Sequence, residues 1–230
     1  VQLFAGPVNL IVIRIGQTQK ERSLRLVIIS DTHAMHEVLG ALSGDVLIHC
    51  GDFCDGFHVD EDDLFNIDRW FAGLEFDRII CVGGNHDFVA QERRSLGESV
   101  FENAIYLEDE CYEFGGLKFY GSPWLPELDG WAYYLSDDER RDKWELIPSD
   151  ADVLITHTPP LGILDKPRTG HSVGCSHLRA ILDDLYLRIH CFGHVHASYG
   201  QWDESQITFF NASVIDSEYN VTNSPIIIDL

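Results

Sequence analysis

The sequence predicts an α/β fold: two mixed β-sheets packed face to face with helices outside, a four-layer αββα sandwich. Three features point there. Short apolar runs alternate with amphipathic stretches, a glycine-centred hairpin interrupts the middle, and two further strand-like runs close the chain. LRLVIIS (24–30), DVLIHC (45–50), RIICV (78–82), DVLIT (152–156) and RIHCF (188–192) are near-continuous apolar runs, as buried parallel strands are. EDDLFNIDRWFAGL (61–74) and CSHLRAILDDL (175–185) space their apolar residues three and four apart, as amphipathic helices do. CYEFGGLKFYG (111–121) is two alternating strands about Gly115-Gly116, a type I′ hairpin signal. QITFFNAS (206–213) and SPIIIDL (224–230) supply the last two strands. The run NLIVIRIG (9–16) is interrupted by Arg14 and is too short to span a bilayer, so an edge strand is expected there. Residues 1–23 are thus an N-terminal extension or edge strand, and 24–230 a single domain, with no internal repeat or low-complexity tract.

Acidic residues outnumber basic ones 38 to 16, a formal net charge of −22. Such a surface repels long nucleic acids, whose binding relies on Lys and Arg displacing counterions. The acidic runs 55–63 and 136–142 read as solvated faces. Six cysteines without a CxxC pair, several inside strand-like runs, indicate reduced thiols and a cytoplasmic location. No membrane span is expected.

Chemistry collects at the strand ends. After VIIS comes Asp31-Thr32-His33, after LIHC comes Gly51-Asp52, and after IICV comes Gly83-Gly84-Asn85-His86-Asp87. After VLIT comes His157, and after IHCF comes Gly193-His194-Val195-His196. Ligands of open α/β sheets bind at the carboxyl ends of the strands, so these five tips can meet in one cleft. Asp31, His33, Asp52, Asn85, His157, His194 and His196 offer oxygen and imidazole nitrogen without sulfur. That set suits Mn or Fe, with Zn or Ni as alternatives, and differs from a closed structural zinc site. Seven donors are too many for one ordinary site and suit two metals sharing a carboxylate. His194 and His196, two apart in an extended segment, point the same way and can reach two ions about 3.5–4 Å apart. Singly, each residue has a bland alternative: Asp31 a helix N-cap, Asp52 a turn residue, Asn85 a left-handed turn former.

In this order, Asp31-x-His33, Gly51-Asp52, Gly84-Asn85-His86-Asp87, His157 and Gly193-His194-x-His196 resemble the calcineurin-like metallophosphoesterase superfamily. The flanking phrases YGSPW, KWELIP, THTPPLG and NSPIIIDL are similar to its metallophosphoesterase-domain-containing (MPPED-type) branch. The resemblance implies that one metal takes Asp31, His33 and His196 and the other Asn85, His157 and His194, with Asp52 bridging. It further implies that His86 sits beside the phosphate as a catalytic group and that Asp87 orients its ring. Some members of the branch lack the first histidine of GHxH; here His194 is present. The activity implied is phosphodiester hydrolysis by a metal-activated hydroxide, with a small nucleotide, for instance a cyclic one, as substrate. A phosphomonoesterase or protein phosphatase, and a catalytically silent metal-binding scaffold, are the alternatives.

Of the other histidines, His49 and His190 lie on strands and are expected to be satisfied in the core. His171 and His177 are expected at the surface or cleft rim, and His36 and His58 follow metal-bearing strands and are candidates to touch substrate. Trp124, Trp131 and Tyr133 are candidates to stack a base, with packing in the core the simpler expectation.

Overall fold

The computed structural model describes residues 23–56, 61–126 and 128–230. The expected strand at 9–16 and His58 lie outside the described residues. In chain order the strands and α-helices are β1 (Arg25–Ile29), β2 (Ser43–His49), α1 (Glu61–Ala72), β3 (Glu75–Cys81), α2 (Phe88–Ser95), β4 (Ile105–Tyr106), β5 (Glu110–Phe114) and β6 (Leu117–Ser122). They continue with α3 (Asp137–Trp144), β7 (Val153–Thr156), α4 (Ser176–Ile181), β8 (Ile189–Phe192), β9 (Gly200–Glu204), β10 (Ile207–Asn211) and β11 (Ile226–Asp229).

One sheet runs β11-β1-β2-β3-β4 and the other β5-β6-β7-β8-β10-β9. Both are mixed, because β11, β5 and β9 pair antiparallel at the edges while the inner strands run parallel. Alternation of side chains along each strand makes two cores. Leu26 and Ile28, Val46 and Ile48, Val153 and Ile155 face between the sheets with Phe119 and Phe210. Val27, Ile29 and Leu47 face outward to Leu64, Ile67 and Phe71 of α1, while Leu154, Phe192 and Phe209 share the outer cluster with Trp144 and Leu178. Each such side chain, once fully buried, contributes roughly 1.5–3 kcal/mol.

Local chemistry explains the elements. α1 has Glu61, Asp62 and Asp63 in its first turn and Arg69 in its last, matching the helix dipole. In the hairpin, Phe114 pairs with Leu117 and the two glycines have φ of 60° and 82°, as a type I′ turn requires. The acidic run 136–142 belongs mostly to a helix: the Glu139 carboxylate accepts the Ser136 N–H at 3.1 Å, and the buried Trp144 anchors the far end. The parallel strands β1, β2, β3, β7 and β8 all send their carboxyl ends to the same rim. Ser30, just past β1, bridges Ser213, just past β10, and so ties the two sheets together there.

Candidate metal centre

The five tips meet. Asp31, His33 and His196 present ligand atoms within 4.8 Å of one another, and so do Asp52, His157 and His194. An overlapping group of His33, Asp52 and His86 satisfies the same limit. The Asp52 Oδ2 atom lies between the two halves, 3.2 Å from His157 Nε2 and 3.8 Å from His33 Nε2. Asn85 joins the second half, with its Oδ1 3.2 Å from His157 Nε2. His196 Nε2 stands 3.4 Å from Asp31 Oδ1.

The chain reaches this geometry through an unusual backbone. Asp31, His33, Asp52 and His194 have φ of 57°, 41°, 56° and 66°, the left-handed region that L-residues with side chains avoid. Each such residue costs about 1–3 kcal/mol and persists where its surroundings compel it. They do so here: the Asp31 N–H donates to Gly51 C=O (2.9 Å), and the His33 N–H to Asp52 C=O (3.0 Å). The His194 N–H donates to the Asp31 carboxylate (3.1 Å), joining the β8 tip to the β1 tip. Asp31 is therefore no helix cap, since the 3₁₀ turn that follows begins at His36. A Cβ on Gly193 would fall 2.0 Å from Ser30 Oγ and 2.2 Å from Asp31 Oδ2, and one on Gly84 2.3 Å from Asp52 Oδ1. Both positions admit only hydrogen.

Outer contacts aim the candidate ligands. His157 Nδ1–H donates to the Cys50 carbonyl (2.7 Å), which leaves Nε2 facing Asp52 and Asn85. The His86 ring is held at Nδ1 by the Asp55 carbonyl (2.8 Å). This corrects the expected role of Asp87. The buried Asp87 carboxylate accepts the N–H groups of Asp52 (2.8 Å), Phe53 (3.1 Å), Cys54 (3.0 Å) and Gly84 (2.7 Å). It clasps the loop that carries Asp52, and the His86 ring takes its orientation from Asp55.

Two more residues act in this way: His49, satisfied in the core as expected but with a linking role the sequence did not suggest, and Asn211, which sequence did not single out. His49 Nδ1 accepts the Gly51 N–H (3.3 Å), so its Nε2–H donates to Thr32 Oγ1 (3.0 Å). It links the loops carrying Asp31, His33 and Asp52. Asn211 Nδ2 donates to the Val195 carbonyl (2.9 Å), fixing the residue between His194 and His196. Their only sequence signal was a polar side chain on a buried strand. His190 is a core residue as expected but only half satisfied: its Nε2 pairs with Thr156 Oγ1 at 2.9 Å, while its buried Nδ1 has no hydrogen-bond partner among the described residues. His36 is buried against Trp70 and stands apart from the ligand groups. Trp124 and Tyr133 pack in the core, bonded to Asp109 and Tyr106, whereas Trp131 lies 4.8 Å, ring to ring, from His86.

The electrostatics suit cations. Burial acts to raise the pKa values of Asp31 and Asp52, yet His196 beside Asp31 and His157 beside Asp52 outweigh it and hold both below the usual carboxylate range. Burial lowers His33 to about 4 and His194 to about 3, so both carry free nitrogen lone pairs at neutral pH. His157 differs: the charge and hydrogen bond of Asp52 overcome burial and raise it to about 9, a proton that binding of a cation expels. Burial and the charge of Asp52 push Asp87 up, against its backbone N–H donors. Among the described residues, both nitrogens of the buried His33 lack a hydrogen-bond partner. An orphaned buried polar atom costs about 1–3 kcal/mol, which a metal bond removes. The donor set fits a pair of divalent ions.

The sequence model of the calcineurin-like phosphoesterase family matches residues 24–198, more than half of the chain. The chain belongs to that family. It is 36% identical over 232 residues to human metallophosphoesterase domain-containing protein 1, covering 90% of this chain and 71% of the relative. Among solved structures the fold resembles TT1561 of Thermus thermophilus, with a TM-score of 0.58, 14% identity and coverage of 82% and 88% of the two chains. It also resembles the phosphopantetheinyl hydrolase PptH from Mycobacterium tuberculosis, with a TM-score of 0.55, 15% identity and coverage of 86% and 92%. Family members normally use a dinuclear metal centre, in keeping with the paired ligand groups. Among the described residues no helix is long and apolar enough to cross a membrane.

Proposed function

We propose that the chain is a phosphodiesterase for small phosphodiesters, cyclic nucleotides among them. The observation that carries this reading is the Asp52 carboxylate set between His33 and His157, with His86 adjoining. Asp31, His33 and His196 would hold one ion and Asn85, His157 and His194 the other, with Asp52 shared. Manganese or iron suits this donor set best, and zinc or nickel also fits. When bound, the two ions supply a water acidified enough to attack at neutral pH and offset the charge of the phosphoryl oxygens. The protein's own contribution is alignment and proton transfer. His86, oriented by the Asp55 carbonyl, donates a hydrogen bond to the phosphoryl group and a proton to the departing alcohol oxygen. Such general acid catalysis gives about 10²–10⁴-fold. Asp87, His49 and Asn211 keep the ligand loops in register.

A net charge of −22 favours a small substrate over long nucleic acid. Half-buried Trp131, packed on His86, gives the leaving group an aromatic wall, a feature of use to a diester with two organic substituents. All six cysteines are unpaired, which supports a reducing, cytoplasmic setting. The test is hydrolysis of bis(p-nitrophenyl) phosphate and p-nitrophenyl phosphate by chelator-stripped protein with Mn²⁺ restored. Metal-dependent turnover favouring the diester supports the proposal, and a preference for the monoester overturns it.

A further inference from the structure

We infer that Tyr219 and the cavity beside it form a subsite for a planar aromatic or nucleobase part of the substrate, an inference that rests on the phosphoester reading above. A cavity of about 290 Å³ opens beside His194 and His196, walled by Pro167, Val173 and Val195 and by the Tyr219 ring. It adjoins the proposed metal ligands, so a phosphate held there would project its organic part toward this apolar space.

The tyrosine is firmly placed. Its ring makes T-shaped contacts with His33 at 5.1 Å and His196 at 5.3 Å, which set its orientation relative to both proposed ligands. Its φ of 62° is a conformation that a bulky residue adopts only where its surroundings compel it. Here a closed turn compels it. The Tyr219 N–H donates to the Asp216 carbonyl (3.0 Å), the Asp216 N–H to the Asn220 carbonyl (2.9 Å), and the Asp216 carboxylate accepts the N–H groups of Glu218 (2.8 Å) and Asn220 (3.0 Å). Arg168, next to Pro167, pairs with Glu218 at 2.7 Å, tying the loop that holds Pro167 to this turn. Tyr219 nevertheless stays 43% exposed, so part of its ring remains for a ligand. A tyrosine ring packed on two histidines, partly exposed and lining an apolar cavity, offers a surface for stacking, and stacking tolerates any base because every base has a π-face.

The test is calorimetric binding of adenosine 5′-monophosphate and ribose 5-phosphate to Mn²⁺-loaded protein, with metal content measured in every variant. The two ligands share a sugar phosphate and differ in the base. Wild type and Tyr219→Phe should bind the nucleotide roughly 5- to 150-fold more tightly than the sugar phosphate. In Tyr219→Leu, which keeps apolar bulk against His33 and His196, the ratio should collapse toward about one, by loss of affinity for the nucleotide alone. A ratio unchanged in Tyr219→Leu, or no preference in wild type, overturns the subsite. The ratio is read without turnover. Failure of diester hydrolysis therefore bears on the proposed reaction, and a flat ratio bears on this subsite.

Discussion

Replacing Asp87 by alanine separates two roles for this residue. If it served only to orient the His86 ring, its loss would slow turnover and leave the fold alone. The structure gives it four buried backbone donors instead, two on each carboxylate oxygen: Phe53 and Cys54 on Oδ1, Asp52 and Gly84 on Oδ2. A buried donor left without a partner costs about 1–3 kcal/mol, so four would cost about 4–12 kcal/mol. Water entering the vacated space recovers part of that, and about 2–6 kcal/mol is the expected net loss. This is a large share of the 5–15 kcal/mol that typically holds a domain together. At about 2–4 °C per kcal/mol for a chain of this size, Tm should fall by about 4–24 °C. Thermal unfolding followed by circular dichroism, in excess chelator so that metal plays no part, measures it. Asp87→Asn keeps one acceptor oxygen and should fall between the two. An Asp87→Ala protein that melts within about 2 °C of wild type and loses only turnover would refute the reasoning.

Three further outcomes follow from the same contacts. Gly193→Ala should lose bound metal and most activity, because its Cβ would sit 2.2 Å from Asp31 Oδ2; elemental analysis showing full metal content would contradict this. His49→Phe keeps the bulk but breaks the bridge between Thr32 and Gly51, so metal affinity should weaken about 10- to 100-fold, and competition with a fluorescent chelator reads it. Burial holds His190 at about 3, below its unfolded value of about 6.5. The unfolded chain therefore takes up the proton first, and stability present at neutral pH is lost as pH falls from 6.5 toward 3. The slope is about 1.4 kcal/mol per pH unit, which comes to about 2 kcal/mol between pH 7 and pH 5. Urea unfolding at those two values should show a correspondingly smaller difference in His190→Gln, and an equal difference would count against it.

The sequence displayed the parallel strands and the candidate ligands together, because a buried strand is mostly apolar and the polar residues that follow it mark the rim. What it concealed had physical reasons. β9, with the sequence GQWDE, is an exposed edge strand whose residues follow no apolar alternation. α2 buries only Val89 and Ala90, too small an apolar face to give a helical period. The left-handed backbone at Asp31, His33, Asp52 and His194 is imposed by hydrogen bonds between distant loops, which no local propensity encodes. The same holds for Asp87. A carboxylate next to a histidine suggests a partner for that ring, whereas its actual partners, apart from Gly84, lie 33 to 35 positions away in sequence. The Thr32–His49 pair was invisible for the same reason, and only the fold brings its two residues into contact.

The shared position of Asp52 is tested most directly by counting metal ions per chain, by mass spectrometry, in wild type, Asp52→Ala and His86→Ala purified in Mn²⁺. The expected result is two ions in wild type and in His86→Ala, the latter with turnover only partly lost, and at most one ion in a folded Asp52→Ala protein without activity. An Asp52→Ala protein that retains both ions would contradict a carboxylate shared between His33 and His157.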